Sequence, residues 1–239
     1  MTFEIHNASK AFKDLNVLQD FSMEMEDHKI ICIVGPSGAG KTTLLNIMSG
    51  VIKPDAGSLS GFADKTVSYL FQEPRLLPWK TVDQNIEFVL KDKMSKNDYH
   101  RLVDQYVDMV GLADFRHYYP RQLSGGMKQR VAIARAFAYP ADLLLMDEPF
   151  DGLDPQLKRS LINAFFCLWQ LEKRSVFFVT HDMREALLLG DKIIVLTDRP
   201  ARIKGHIQNP IPYWDRHSEN VEFQRIENQL NELVINPTC

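Results

Sequence analysis

Cysteine is scarce in this chain, and the little there is forms no pattern. Cys32, Cys167 and Cys239 stand far apart without metal-ligand spacing, which argues against a zinc module or a disulfide-stapled scaffold and fits a reducing compartment. No run approaches 18 consecutive apolar residues, so the chain is not expected to cross a membrane by itself, and any membrane role is expected to come through a partner. Positive charge is not in excess. The 28 Lys+Arg against 31 Asp+Glu give a net charge of −3, without the basic footprint of a nucleic-acid or anionic-membrane binder. The opening residues MTFEIHNASK lack a basic stretch followed by an apolar one, so no secretory leader is expected there. No internal repeat or low-complexity tract is visible.

What is present suits a soluble globular fold: 239 residues, 45% apolar and 25% charged, enough for one large domain or two small ones sharing a core. Strands are expected over 3–8, 17–25, 29–34, 66–71, 142–147, 175–180 and 192–196. Helices are expected over 41–49, 96–110, 127–138, 155–172, 183–189 and 218–234. The runs IICIV, LLLM and VFFVT are continuously apolar, as strands buried on both faces of a parallel sheet are, and Cys32 inside the first reads as a small buried hydrophobe. Strands alternating with helices predict an α/β fold. The first two strands precede any helix and are expected to form an antiparallel flank. Residues 78 to about 125 carry helix signals only, predicting a helical lobe in which Leu102, Tyr106, Met109 and Val110 pack. The tail, from Ile207, opens on NPIPYW and becomes an amphipathic helix.

Residues Gly35-Pro36-Ser37-Gly38-Ala39-Gly40-Lys41-Thr42-Thr43 follow a strand and open a helix, the context required of G-x-x-x-x-G-K-[ST]. Glycines let successive backbone N–H groups approach phosphate oxygens, and the helix start adds its positive dipole end. Lys41 is predicted to reach the β- and γ-phosphates and the Thr42 hydroxyl to ligate Mg2+. In DLLLMDEP, Asp147 and Glu148 close a buried strand. Adjacent parallel strands end on the same edge, so Asp147 is expected in the Mg2+ shell and Glu148 beside the γ-phosphate as general base. At Leu123-Ser124-Gly125-Gly126-Met127-Lys128-Gln129-Arg130, Ser124 suits an N-cap; the chemistry alone fits either a helix-start anion site or a structural loop. Taken singly, Phe12 also reads as a core aromatic, Gln72 as a strand cap and His181 as a neighbour of the helix-capping Asp182.

Together these segments resemble the ABC (ATP-binding cassette) ATPase family over nearly the whole chain. GPSGAGKTT looks like its Walker A, LSGGMKQR its signature, LLLMDEP its Walker B, and Asp151-Gly152-Leu153-Asp154 its D-loop. Gln72 matches the Q-loop glutamine, His181 the switch histidine and Phe12 the aromatic that stacks on adenine. The resemblance implies a P-loop NTPase core with a mostly parallel sheet, an antiparallel β flank and a helical subdomain. The boundaries it suggests are 1–77 with 126–206 for the core, 78–125 for the helical subdomain and 207–239 for the tail. It implies ATP and Mg2+ as ligands, with Thr42, Gln72 and Asp147 around the metal and Glu148 and His181 at the γ-phosphate. It further implies a head-to-tail homodimer in which Ser124, Gly125 and Gly126 of one copy close over the nucleotide of the other. Two departures stand out: Met127 replaces the commoner glutamine, and Asp151-Gly152 the commoner small pair.

FQEPRLLPW, with LSGGM, LLLMDEPF and DRPARI, is similar to the narrower group that imports nitrate, sulfonates, taurine and thiamine precursors. That likeness implies a peripheral subunit on the cytoplasmic face of the cell membrane, integral permease partners, and an extracytoplasmic solute-binding protein reached only indirectly. It assigns Arg75, Leu76, Leu77, Pro78 and Trp79 to the permease contact, against lobe packing as the plainer reading of Leu76 and Leu77. A soluble ABC ATPase is the alternative, although neither paired cassettes nor a coiled-coil insertion is present. A P-loop metabolic kinase has no use for the signature segment.

Overall fold

The computed structural model describes residues 2–235, so Cys239 lies outside the described residues. In chain order the elements are β1 (Thr2–Phe12), β2 (Leu15–Glu26), β3 (Ile30–Val34), α1 (Lys41–Met48), β4 (Ala56–Ser60), β5 (Val67–Leu70), α2 (Val82–Leu90), α3 (Lys96–Met109), α4 (Gly125–Ala138), β6 (Leu143–Asp147), α5 (Pro155–Glu172), β7 (Ser175–Thr180), α6 (Met183–Leu189), β8 (Lys192–Leu196), β9 (Ile203–Gln208) and α7 (Val221–Ile235). They fall into two compact units, Met1–Lys65 with Ser175–Cys239, and Thr66–Arg174.

In the first unit β1 lies between β2 and β4 and pairs antiparallel with both, Ile5 standing opposite Met23 on one side and Leu59 on the other. The expected antiparallel flank is therefore present, and β4 completes it. The run Phe-Ser-Met-Glu-Met-Glu at the end of β2 alternates buried and exposed because its apolar residues fall at every second position. Gly57 has φ of +86°, and a Cβ there would sit 2.4 Å from the His6 carbonyl oxygen, so no other residue fits the close approach of β4 to β1.

The same unit holds a parallel set, in which β3 pairs with β7 on one side and β8 on the other, with β9 antiparallel beyond β8. Every residue of β3 and β7 is buried, as the unbroken apolar run of β3 and the VFFV centre of β7 require. Cys32 is fully enclosed, and burial pushes its thiol well above the ordinary range. Phe3, Phe62 and Phe177 pack edge-on and tilted with centroids 5.0–6.1 Å apart. The tail helix α7 buries Phe223, Ile226 and Leu230, and Lys204 of β9 donates to the Val234 carbonyl at 2.9 Å, so the tail packs on its own unit.

In the second unit β5 and β6 are parallel partners, and α2, α3 and α4 pack together. A capping box starts α2: the Thr81 hydroxyl accepts from Gln84 N, and the Gln84 side-chain oxygen accepts from Thr81 N. The buried stripe of α3 is Tyr99, Val103, Tyr106 and Val107, continuing to Val110. The expectation holds for Tyr106 and Val110 and is corrected at Leu102 and Met109, which are only half-buried because the stripe runs one position off them.

Candidate nucleotide site

The phosphate loop begins where β3 ends. Gly38 and Gly40 have φ of +78° and +107°, the left-handed region that side-chain-bearing residues avoid. At Gly40 the restriction is doubled, since a Cβ would lie 2.7 Å from Val17 Cγ1 and 3.2 Å from the Val17 carbonyl. Gly40 also stands at the N-cap of α1, which has no side-chain cap bond, so its first amides are directed to a ligand or solvent. Lys41 is 5% exposed, and its ammonium donates to the carbonyls of Gly35 at 2.9 Å and Pro36 at 3.0 Å. The cation is folded across its own loop, one flexible stem away from whatever anion the amides hold. Thr42 is exposed and Thr43 half-buried. This donor set, with one cation and no carboxylate within Gly35–Thr43, suits a polyphosphate.

Three further residues of the first unit belong in the account. Phe12 is 44% exposed, with Lys10 Nζ 5.5 Å above its ring, so it is not the core aromatic of the plainer reading. His181 is exposed at the end of β7. Its surroundings are braced: Thr180 Oγ1 donates to Glu185 at 2.7 Å and accepts from Asp182 N at 3.0 Å, while Asp182 caps α6. Arg199, from the DRPARI segment, lies against the loop; its Nη2 is 2.6 Å from where a Cβ of Gly38 would be.

In the second unit Asp147 ends β6 and is 7% exposed. Tyr69 lies close enough that burial first, and then the Asp147 charge, hold its phenol well above the usual range. Glu148 follows with φ of 43°, a conformation that costs a non-glycine residue about 1–2 kcal/mol. Strain of that kind at a strand end is found where a side chain must be aimed. The turn after it is tied back by Asp151 N to the Glu148 carbonyl at 3.2 Å, and Asp154 caps α5 through Leu157 N at 3.0 Å. Gly152 has φ of +68° and Leu153 is half-buried. Gln72 Nε2 donates to Asp151 Oδ2 at 3.1 Å, so two residues 79 apart in sequence, from two different motifs, meet directly.

Ser124 caps α4, accepting from Met127 N at 3.3 Å. Gly125 is exposed, and nothing lies within 4 Å of where its Cβ would be. Gly126 is buried, its Cβ position 2.1 Å from Leu157 Cδ2. Of the two glycines, only Gly126 has a neighbour in this chain against its Cβ position. Sequence reasoning missed Gln129, which is buried in α4 and donates to the Pro149 carbonyl, tying the LSGG helix to the residue after Glu148. It also missed the fastening of residues 74–81. Arg135 donates to the carbonyls of Pro74 and Arg75, at 2.9 and 3.1 Å. Asn85, fully buried, accepts from Leu77 N at 2.8 Å and donates to the carbonyls of Leu77, Lys80 and Thr81. On that fastened segment Arg75 covers the Phe71 ring at 3.8 Å, Leu76 and Leu77 are half-buried, and Pro78 and Trp79 are exposed, Trp79 by 69%.

Comparison with known proteins places this geometry in context. The sequence profile of the family described as ABC transporter matches residues 18–151. An uncharacterized ABC transporter ATP-binding protein of Methanocaldococcus jannaschii is 42% identical, the alignment covering 97% of this chain and 92% of that one. An aliphatic sulfonates import ATP-binding protein of Bacillus cereus is 36% identical over 96% of this chain and 94% of its own. Among solved structures, a dimeric bacterial ABC transporter cassette superposes with a TM-score of 0.77 at 28% identity, covering 88% of this chain and 100% of that one. A dimeric cassette in a post-hydrolysis state, bound to ADP and Pi, gives 0.76 at 27% over the same shares. The α/β fold with its glycine-built phosphate loop, and relatives matching along nearly the full length, lead to one conclusion: the chain belongs to the ABC transporter family, as an ATP-binding subunit of the ABC ATPase type.

Proposed function

We propose that this chain hydrolyses ATP to drive a membrane importer of a small solute, of the nitrate, sulfonate, taurine or thiamine-precursor kind. The observation that carries the reading is the 36% identity to an aliphatic sulfonates import ATP-binding protein along almost the whole of both chains. The subunit works as a homodimer on the cytoplasmic face of the membrane, bound to integral permease subunits. An extracytoplasmic solute-binding protein delivers the cargo on the other side. Residues 75–79 form the permease contact; the exposed indole of Trp79 on a segment held by Asn85 and Arg135 supports that assignment, since aromatic residues anchor interfaces. Among the described residues no helix is long and apolar enough to cross a membrane.

At the nucleotide, Phe12 stacks on adenine. The backbone of Gly35, Pro36, Ser37, Gly38, Ala39 and Gly40 and the start of α1 at Lys41, Thr42 and Thr43 receive the phosphates. The Lys41 ammonium moves from the Gly35 and Pro36 carbonyls to the β- and γ-phosphate oxygens. The Thr42 hydroxyl, the Gln72 amide oxygen and the Asp147 carboxylate are hard oxygen donors of the kind Mg2+ takes. When bound, Mg2+ neutralises charge on the phosphate oxygens. Glu148 accepts a proton from the attacking water as the new oxygen–phosphorus bond forms and the bond to ADP breaks. His181 holds the γ-phosphate in line by a hydrogen bond. Ser124, Gly125 and Gly126 of the second copy close over the same phosphates. The products are ADP and inorganic phosphate, with the proton passing from Glu148 to solvent.

Tagging the chain in its native cell, solubilising the membranes gently and identifying what co-purifies tests the reading. A stoichiometric multi-span permease supports it. A purely soluble set of partners overturns the transport half and leaves a non-transport ABC ATPase.

A further inference from the structure

The turn after Glu148 carries a carboxylate, Asp151, where the family commonly has a small residue, and that carboxylate is in contact with Gln72. We propose that Asp151 is a positioning residue that fixes the Gln72 amide so that its oxygen is presented to Mg2+. The proposal rests on the reading of Gln72 as a metal ligand.

Three observations carry it. First, Gln72 Nε2 donates to Asp151 Oδ2 at 3.1 Å. Only the amide nitrogen can donate to a carboxylate, so the contact fixes which end of the amide is turned away from Asp151, and that end is the oxygen. Secondly, the Asp151 side chain is itself pinned. Its Oδ1 accepts from Gly152 N at 2.9 Å, and its own N–H is held by the Glu148 carbonyl at 3.2 Å, within a turn that has left-handed φ at Glu148 and Gly152. Thirdly, the backbone on the other side of the contact is anchored close by. The Arg75 guanidinium covers Phe71, and Arg135 holds the Pro74 and Arg75 carbonyls. With the turn at Asp151 pinned and the chain held two residues beyond Gln72, the hydrogen bond limits the freedom of the glutamine side chain.

The chemistry has two parts. Ordering the amide beforehand removes rotamer entropy that metal binding would otherwise cost. Donation from the amide N–H to an anion also shifts electron density toward the amide oxygen, making it a better ligand for a hard cation. A small uncharged side chain at 151 does neither. Outer groups that orient metal ligands are worth about 10–100-fold in metal affinity, and a solvent-exposed contact such as this belongs at the lower end, about tenfold.

The test is the gain in ATP affinity that Mg2+ confers: ATP titrated by calorimetry with Mg2+ and with EDTA, in a Glu148→Gln background that blocks turnover. Asp151→Ser is expected to cut the Mg2+-dependent gain about tenfold, with Asp151→Asn between, because it keeps an acceptor oxygen and loses the charge. Affinity in EDTA stays at the parent value, which a general structural defect would lower. In a Gln72→Ala background, Asp151→Ser has no further effect if it acts through Gln72. If Gln72→Ala reduces the gain and Asp151→Ser does not, the positioning role is overturned and the metal-ligand reading stands. If Gln72→Ala leaves the gain intact, the metal-ligand reading falls and the proposal falls with it. An equal loss from Asp151→Ser with and without Gln72 means that the carboxylate acts on the metal itself, which also overturns the proposal.

Discussion

Replacing Gly125 by alanine separates the folding of this chain from the closure of a second copy over the nucleotide. Nothing within 4 Å meets a Cβ at Gly125, and the residue is the first of α4, where alanine is a better helix former by at most about 1 kcal/mol. At about 2–4 °C per kcal/mol for a chain of this size, the melting temperature should hold or rise by up to about 4 °C. If Gly125 of one copy closes against the γ-phosphate held by the other, the added methyl occupies that approach. A misplacement of about 1 Å at the reacting group costs on the order of 10²-fold in rate. Phosphate release is the assay, alongside a circular dichroism melt. Mixing Gly125→Ala with Lys41→Ala protein sharpens it. Half of the dimers are then mixed, each with one of its two sites built from unaltered parts, so at most about a quarter of wild-type turnover returns, and less where the two sites act in concert. A Gly125→Ala protein hydrolysing ATP within threefold of wild type would refute the reasoning. The same change at Gly126 proves less, because its methyl collides with Leu157 at 2.1 Å and costs about 1–3 kcal/mol of packing by itself.

Glu148→Gln should retain ATP binding while turnover falls by about 10²–10⁴-fold, the range of a lost general base; turnover within a few-fold of wild type sinks that role. Asn85→Ala leaves the N–H of Leu77 and the carbonyl of Lys80 without their side-chain partner and takes a second bond from the carbonyls of Leu77 and Thr81, which keep backbone donors; it should cost about 2–4 kcal/mol, read as a lower urea midpoint at constant slope. A change under about 0.5 kcal/mol would mean the loop holds itself, as surface changes do. The Asp55 carboxyl is held below its ordinary 3.8 first by the hydrogen bond from Lys10 and then by that from Ala11 N. A depressed carboxyl stabilises the fold above its unfolded value and loses that contribution as pH falls through the folded one. Asp55→Ala should therefore be less stable than wild type at pH 6, with the gap narrowing below pH 3.8. A gap independent of pH contradicts the ion pair.

The parallel strands were legible because sequences such as IICIV and SVFFVT leave no face for water. The strands missed were those with weak local signals. β4 reads AGSLS and is almost wholly exposed, so its strand character comes from pairing with β1, a long-range fact that no local pattern records. β9 likewise exists through β8. The omission of α2 is different, since Thr81 and Gln84 spell its capping box in the sequence. At the site, the loop glycines announced themselves because φ near +78° and +107° at Gly38 and Gly40 demands them. Gln129, Asn85 and Arg135 did not, because each acts on carbonyls 4 to 61 residues away, and any residue supplies a carbonyl.

The bond from Gln129 to the Pro149 carbonyl has a mechanical meaning. It joins the helix that begins at Gly125 to the turn that carries Glu148, making them one stiff part. In the proposed two-fold pair, that part serves two reactions at once: its turn works on the nucleotide of its own copy, and its helix tip works on the nucleotide of the neighbour. Such a part acts as a gear tooth shared between two wheels. A shift forced on it by one phosphate leaving is delivered to the opposite nucleotide without relay through solvent or loops, so the two ATP molecules are expected to keep time with each other.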